Sequence, residues 1–390
     1  MIYTFIVLSS LFVFSTCSEF KEIISTPDDK LAKKKIWEGN PYEEWEVTTF
    51  VYPVIPWVLT PSGIVALEGS YEKNIFRPEK VMLLDLEDGK VIWRKAWKPV
   101  YEDTIWNSRS LIVSDWKRIL THAQGDILRF TNLAKGEDIW NRPACSVGAL
   151  DKEFAAGWCM ERLALIDPES GKITKNIRIN ITPSELHFVD SNLLIADKTG
   201  ALYRFNINEE KLTYLEYGKK IITIYINKSD IYVFSQTGDD YFIEKLIVEK
   251  FSTKVVWSRP LSLKPENYWL HTLNNGVIYP AGFDCIAFDN FKGETLWTSC
   301  GVNTKNPPSW DDNGLYMLSS RVMPDSERPL LFIDIENGLQ TTLFKNTNDG
   351  SVATFMASWI VPGAAINGLI YCIRAKNRIF SLRIAAAVSN

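Results

Sequence analysis

Few side chains in this 390-residue chain are suited to chemistry, and they are widely separated. The three histidines, His122, His187 and His271, stand far apart, and no spacing predicts a serine–histidine–aspartate arrangement. Isolated histidines are more often surface groups or satisfied core groups than catalysts. Neither a P-loop nor a GxGxxG motif occurs. We therefore expect no catalytic residue, no enzyme activity and no cofactor.

Two carboxylate pairs supply the oxygen ligands that calcium prefers: Asp239 with Asp240, and Asp311 with Asp312. Both pairs fall between apolar segments, where acidic residues commonly belong to solvated turns. No CxxC spacing indicates zinc. The sequence therefore predicts no metal site.

The elements that must position these residues are short hairpins. The clearest one, residues 81–93, is an apolar strand, an acidic turn containing Gly89 and a second strand ending in Trp93. Copies of it recur along the chain at intervals of roughly 35 to 55 residues, which is the size of a β-propeller blade. The residues that recur at equivalent positions are Asp85, Gly89, Trp93, Trp140, Asp167, Gly171, Trp257, Asp289, Gly293, Trp297, Asp334 and Gly338.

These recurring residues have local physical roles. An aspartate at the end of a strand accepts backbone N–H groups of the turn, and glycine adopts the positive φ that other residues resist. A row of tryptophans could stack an aromatic ligand or wedge each unit against the next. Because a residue repeated around a ring more often serves architecture, we favour the wedge.

The spacing predicts an all-β fold: one eight-bladed β-propeller of four-stranded antiparallel blades over residues 35–390. The last unit, beginning at Arg378, has a front strand and no return strand. Residues 35–39 resemble an isolated return strand, so we expect this N-terminal strand to close the ring in the last blade and remove exposed edges.

Residues 1–17 predict a signal peptide, since the apolar run at 5–14 is too short to span a bilayer. Two interpretations of its end stay open: cleavage after Cys17, or a lipoprotein signal with the lipid on Cys17. Residues 18–34 are polar and predict a flexible tether. Export predicts a periplasmic or outer-membrane-anchored protein, or alternatively a secreted or secretory-lumen one.

Five cysteines follow Cys17. Cys145 with Cys159, and Cys285 with Cys300, flank hairpins and could form disulfides in an oxidising compartment. Buried free thiols are the alternative for all four. Cys372 is left over, in an apolar segment.

Residues 84–93 and 288–297 share the pattern Asp-x-x-x-Gly-x-x-x-Trp, and residues 165–172 and 334–338 share its turn. Hairpins of this form resemble the repeats of the PQQ-like (quinoprotein-type) β-propeller family. The resemblance covers nearly the whole mature chain. The family's dehydrogenases usually have adjacent cysteines over a calcium–PQQ site, and this chain has no adjacent cysteines. The resemblance therefore implies the cofactor-free class, which includes the propeller lipoprotein of the outer-membrane β-barrel assembly machine.

The resemblance implies a monomeric subunit of a complex: a scaffold for protein–protein interaction at the cell envelope, in outer-membrane protein assembly. The alternative is a PQQ-dependent dehydrogenase, or a propeller that binds a small ligand in its central funnel. The net charge of −4 argues against nucleic acid as a partner. An aromatic-rich stretch offers a candidate contact surface: Trp45, Phe50, Tyr52, Val54, Ile55 and Trp57.

Overall fold

The computed structural model describes most of the chain after residue 41. The described residues are 42–47, 54–72, 75–96, 111–114, 118–123, 127–151, 153–227, 229–249, 252–261, 269–273, 275–305, 307–321, 327–346, 351–357, 359–374 and 378–383. Every regular element among them is a β-strand, and they contain no helix with the length and hydrophobicity of a membrane span. The predicted signal peptide and tether lie outside these residues.

Seven sheets have the four-stranded antiparallel form of a propeller blade. The chain begins with β1 (Tyr42–Val47), and blade 1 follows as β2 (Val54–Thr60), β3 (Gly63–Glu72), β4 (Ile75–Leu84) and β5 (Val91–Ala96). Blade 2 is β6 (Leu111–Ser114), β7 (Arg118–Ala123), β8 (Ile127–Asn132) and β9 (Asp138–Arg142). Blade 3 is β10 (Cys145–Leu150), β11 (Ala155–Cys159), β12 (Arg162–Ile166) and β13 (Ile173–Ile177).

The next three blades repeat this order. Blade 4 is β14 (Pro183–Val189), β15 (Asn192–Asp197), β16 (Leu202–Asn206) and β17 (Lys211–Leu215). Blade 5 is β18 (Lys220–Asn227), β19 (Asp230–Thr237), β20 (Asp240–Val248) and β21 (Thr253–Leu261). Blade 6 is β22 (His271–Thr272), β23 (Gly276–Ala281), β24 (Asp284–Asp289) and β25 (Thr295–Cys300).

The remaining strands are less regular. They are β26 (Ser309–Trp310), β27 (Gly314–Leu318), β28 (Arg328–Asp334), β29 (Gln340–Thr342), β30 (Phe344–Asn346), β31 (Val352–Thr354), β32 (Met356–Ala357), β33 (Trp359–Ile360), β34 (Gly363–Ala364), β35 (Leu369–Arg374) and β36 (Arg378–Arg383). The seventh four-stranded sheet, which we call the closing blade, has the order β1-β36-β35-β33. Strands β30 and β31 form a separate pair.

The prediction of eight four-stranded blades is wrong, because the described residues form seven sheets of that kind. Strands β26 to β29 instead belong to a six-stranded sheet, in which β34 pairs in parallel with β26 and β32 pairs with β28. The chain leaves the closing blade at Gly363, where the Ser309 hydroxyl donates to the Gly363 carbonyl at 2.9 Å. Strand β34 is only two residues long, and it is held by this hydroxyl and by the pairing of Gly363 with Ser309 and of Ala364 with Trp310. So short a strand leaves no repeat pattern in the sequence.

The sheets pack face to face in a closed ring, and the core lies between them. Leu120 and Phe130 of blade 2 cluster with Ala155 of blade 3. Where the ring closes, Met82 of blade 1 clusters with Tyr371 of the closing blade. The second strands are buried on both faces, which explains the unbroken apolar runs in them.

An N-terminal strand lies in the closing blade, but it is not the predicted one. Tyr42–Val47 pairs antiparallel with Arg378–Arg383. The Glu46 carboxylate lies 3.1 Å from Arg374 Nη1 and 3.6 Å from Arg378 Nη1. Residues 35–39, which were expected to form the closing strand, lie outside the described residues. Strands from the two ends of the chain thus share one sheet, which covers an edge.

The hairpin turns are built around their aspartates. The Asp289 carboxylate accepts the N–H groups of Phe291 and Lys292 at 2.9 Å and that of Glu294 at 2.6 Å. Gly293 has a φ of +66° and donates its N–H to the Asp289 carbonyl at 3.1 Å. Asp85, Asp167 and Asp334 accept turn N–H groups in the same way.

The repeated tryptophans lie between sheets and do not form a ligand-stacking surface. Each indole N–H donates to a carbonyl in the turn of the next sheet, as in Trp140 to Pro168 at 2.8 Å and Trp257 to Asn290 at 3.3 Å. Trp93 and Trp297 do the same to Leu133 and Ile335.

Each tryptophan also packs against the glycine of that same turn. A Cβ on Gly293 would come within 2.7 Å of Trp257, and a Cβ on Gly338 within 2.6 Å of Trp297. These glycines are therefore required for close approach as well as for their positive φ. We call this arrangement of indole, carbonyl and glycine the tryptophan lock.

Among the junctions between blades 1 to 6, two depart from the lock. Between blades 3 and 4, Lys175 occupies the tryptophan position and donates to the Ile207 carbonyl at 3.0 Å. Glu210 replaces the glycine with a φ of +52°, and its carboxylate lies 2.9 Å from Lys175 Nζ. An ion pair thus replaces the indole–glycine contact. In blade 4 the equivalent residue is Tyr214, which is 56% exposed.

We expect Trp257→Ala to lower the free energy of unfolding by about 3 to 5 kcal/mol, because it removes a buried ring and leaves a cavity between blades. Urea denaturation followed by circular dichroism measures this. Tyr214→Ala is the matched control, with an expected cost of about 1 kcal/mol or less. Equal losses for the two variants would contradict the lock.

The double variant Lys175→Trp with Glu210→Gly should rebuild a tryptophan lock between blades 3 and 4. We expect the two changes to couple favourably by about 1 to 3 kcal/mol in a double-mutant cycle, since only the pair provides both ring and space. The same cycle with Glu209→Gly in place of Glu210→Gly is the control. Additive effects within about 0.5 kcal/mol in both cycles would refute the coupling.

Candidate functional site

The structure does not bring the described histidine side chains together. His187 Nε2 lies 3.3 Å from Glu185 Oε2, an atom that also accepts the Ile224 N–H at 2.9 Å. The His271 ring packs against Trp310 with 4.9 Å between centroids. Burial lowers the pKa of His271 to about 4, so the ring is neutral at pH 7. The side chain of His122 lies outside the described residues.

The two predicted carboxylate pairs, Asp239 with Asp240 and Asp311 with Asp312, lie at hairpin turns. Asp311 Oδ1 accepts the N–H groups of Asn313 at 2.8 Å and Gly314 at 3.0 Å, and Oδ2 accepts the Tyr316 hydroxyl at 2.6 Å. Asp239 and Asp240 are exposed at the tip of a hairpin. Within the described ranges, no three His, Cys, Asp or Glu side chains converge in a metal-binding group.

The cysteines behave differently from one another. Cys145 and Cys159 stand opposite each other on β10 and β11 and form a disulfide. Cys285 is a buried free thiol, although Cys300 is disulfide-bonded, so the predicted pairing of these two is wrong. The register explains this, because Cys285 faces Ser299 and Cys300 faces Asp284. Cys372 is also a buried free thiol.

The buried acid Glu244 belongs to a hydrogen-bonded network between blades 4 and 5. Glu244 is fully buried, and its carboxylate accepts Lys219 Nζ at 2.8 Å, the Ser235 hydroxyl at 2.7 Å and the Tyr217 hydroxyl. Burial alone would raise the pKa of Glu244, but the hydrogen bonds from Lys219, Tyr217 and Ser235 outweigh it and lower the pKa. Because these donors saturate the carboxylate, it joins the connection between blades 4 and 5 and is not available to a ligand.

One end of the propeller is formed by two sets of hairpin turns. In an antiparallel blade, the turn between the first and second strands and the turn between the third and fourth lie at the same end. We call this end the turn face. The tryptophan locks lie against the turns of this face, so the backbone there is held firmly.

The repeat itself shows which turn-face residues the architecture does not require. Two positions after the residue that begins each third-to-fourth-strand turn, the described copies carry Glu87, Ala134, Glu169, Asn208, Phe291 and Glu336. Phe291 is the one large apolar side chain among them, and it is 78% exposed. Only its backbone N–H is used by the turn.

The position after the turn glycine shows a second departure. The described copies carry Lys90, Glu137, Lys172, Lys211, Glu294 and Leu339. Where the others are charged, Leu339 is apolar and 61% exposed. It follows Gly338, against which Trp297 packs, so its backbone is also fixed.

Phe291 and Leu339 lie on neighbouring sheets, because Trp297 of blade 6 donates to Ile335 in the turn that carries Leu339. Ile247, Val255 and Leu296 lie close to the same end of blades 5 and 6 and are 40 to 50% exposed. We call these five residues the apolar rim. Single exposed apolar residues are ordinary, but a group on adjacent elements is typical of an interaction surface.

The sequence prediction placed the contact surface elsewhere. Val54, Ile55 and Trp57 lie in β2 and Trp45 lies in β1, but their side chains, and all of Phe50 and Tyr52, lie outside the described residues. The apolar rim was missed. Aligning the hairpin turns and asking which copies depart from the others would have found Phe291 and Leu339.

Comparison with known proteins shows the fold. No protein-family model and no curated protein sequence matches the chain. The crystal structure of BamB from Moraxella catarrhalis is similar at a TM-score of 0.55 and 13% identity, covering 88% of this chain and 99% of that one. The C-terminal WD40 domain of Sif2 is similar at a TM-score of 0.57 and 13% identity, covering 89% and 99%.

A computationally designed protein, Ika8, is similar to the same degree, at a TM-score of 0.56 and 11% identity, covering 88% of this chain and 99% of that one. At such low identities these likenesses establish a β-propeller and nothing finer. A natural propeller, a WD40 domain and a designed protein all share the ring with this chain.

Proposed function

We propose that this protein is a non-catalytic propeller scaffold that binds a protein partner through the apolar rim. The observation that carries the proposal is the departure of Phe291 and Leu339 from the repeat. The other described copies form this turn with small, polar or charged residues at the first position and with charged residues at the second. Their apolar side chains, 78% and 61% exposed, therefore contribute nothing evident to the fold.

The chemistry of the rim suits protein recognition. A large aromatic ring buried in an interface can contribute much of the binding energy, particularly on a rigid support that loses little conformational entropy. The turn that carries Phe291 is held by the Trp257 indole, by Lys245 Nζ at 3.2 Å from the Asn290 carbonyl, and by Arg259 on the Gly293 carbonyl. Such a turn presents its side chain without having to order on binding.

We further propose that the protein is exported and acts at the cell envelope, in outer-membrane protein assembly. Three features support this: the apolar run at residues 5–14, the Cys145–Cys159 disulfide and the shared fold with BamB. Disulfides persist mainly in oxidising compartments.

Site-specific photo-crosslinking tests the scaffold proposal. A photoreactive phenylalanine analogue at position 291 of the full chain should crosslink to a partner in the envelope fraction of the native host. The same analogue at Glu87, the equivalent turn position of blade 1, is the control and should not crosslink. We expect Phe291→Ser with Leu339→Lys to lower recovery of that partner at least about tenfold, because truncating a central side chain of an interface typically costs about 2 kcal/mol of binding free energy.

An unchanged thermal midpoint in this double variant would show that the loss concerns binding rather than folding. Equal crosslinking from positions 87 and 291, or undiminished recovery in the double variant, would contradict the proposal. Quinone absorbance in the purified protein would instead favour the dehydrogenase alternative.

Metabolic labelling with a fatty-acid analogue tests the membrane tether. A lipoprotein signal places the lipid on the Cys17 thiol, so under that interpretation the wild-type chain is labelled and Cys17→Ser is unlabelled. Labelling of neither chain, with secretion of a shortened product, would leave export standing and would exclude the lipid anchor.

A further inference from the structure

The turn face around the apolar rim is rich in carboxylates. The third-to-fourth-strand turn of the six-stranded sheet, residues 334–339, contains Asp334 and Glu336 and no basic residue. The neighbouring first-to-second-strand turn contributes Asp311 and Asp312. In blade 6, Asp289 and Glu294 flank a single lysine, Lys292. The rim is therefore an apolar surface within a negatively charged surrounding.

The construction of the turns keeps these charges in place. Burial would raise the pKa of Asp289, but the N–H groups of Lys292, Phe291 and Glu294 outweigh it and lower the pKa. Asp167 has a lowered pKa for the same kind of reason, since it accepts the hydroxyl and N–H of Ser170. The carboxylates of Asp289 and Asp167 are thus ionised at any physiological pH.

The basic side chains nearby offset this charge only in part. Lys292 Nζ lies 3.9 Å from Glu294 Oε1, and both side chains are mostly exposed. Lys245 is committed to Asp230, with 2.7 Å between Nζ and Oδ1. Arg259 lies on the Gly293 and Lys292 carbonyls of the blade 6 turn, and Lys254 and Lys292 are exposed close to the rim. The six carboxylates named above around the rim outnumber these three described basic side chains.

We infer that the partner seated on the apolar rim is a protein segment that carries lysine or arginine next to apolar side chains. This inference rests on the proposed function, because it specifies the partner of the same surface. Apolar side chains of the segment cover Phe291 and Leu339, and its cations lie over the surrounding carboxylates. At physiological ionic strength such charges attract over about 8 Å, which speeds the encounter and excludes acidic partners.

The same charge disfavours the other candidate occupants. A membrane with anionic lipids and a nucleic acid both present negative charge, which the carboxylates of the turn face repel. A second copy of this chain docked turn face to turn face would bring like charges together. A cationic protein segment is the occupant that satisfies both the apolar and the charged parts of the surface.

The test adds charge reversal to the photo-crosslinker at position 291. Glu294→Lys with Asp312→Lys reverses two exposed carboxylates beside the rim without touching a turn aspartate that binds backbone N–H groups. Asp239→Lys with Asp240→Lys makes the same change in charge at the opposite end of blade 5 and is the matched control. The crosslinked partner peptide is sequenced by mass spectrometry, and the yield is measured at low salt and at about 0.5 M NaCl.

We expect the reversal beside the rim to lower the crosslinking yield at least about tenfold, and the control reversal to leave it unchanged. High salt should lower the wild-type yield severalfold, and the crosslinked peptide should contain lysine or arginine next to apolar residues. A yield from position 291 that survives charge reversal, or a crosslinked peptide rich in acidic residues, would overturn this inference and leave the scaffold proposal standing. Failure of position 291 to crosslink at all would overturn both.

Discussion

The ring depends on one repeated interaction: an indole of one sheet that lies on a glycine of the next and donates to a carbonyl of the same turn. Trp93, Trp140, Trp257 and Trp297 each make it. The contact requires glycine for two reasons: the turn has a positive φ at this position, and a Cβ would occupy the space of the ring. Hydrophobic burial, hydrogen bonding and backbone conformation therefore meet at one point in each of these four junctions.

The junction between blades 3 and 4 shows that ring and glycine form one unit. There the lysine at the tryptophan position and the glutamate at the glycine position change together, and their ion pair spans the same gap. The carbonyl acceptor in the turn is kept, since Lys175 still donates to Ile207. Exposed ion pairs contribute little to stability, so this junction is held mainly by the cluster that includes Leu163, Leu193 and Phe205.

A repeat also separates architecture from function. The recurring tryptophans and glycines are accounted for by the lock, whereas Phe291 and Leu339 differ from the equivalent residues of the other described turns. The candidate site was therefore not visible in any single hairpin, and the aromatic content of residues 45–57 pointed elsewhere. The sequence feature that marks this site is the difference between the copies of the turn. That difference indicates a surface only once the turns are known to lie on one face of the propeller.

The sequence by itself determined the all-β class, the hairpin turns and the wedge position of the tryptophans, because turn chemistry and apolar alternation are local properties. Tertiary structure decided what depends on register and distant pairing. It placed Tyr42–Val47 in the closing blade, set Cys285 opposite Ser299 and not opposite Cys300, and drew Gly363–Ala364 into a six-stranded sheet. A shift of one residue in register changes every facing pair, and no local pattern encodes which strand from a distant part of the chain arrives at an open edge.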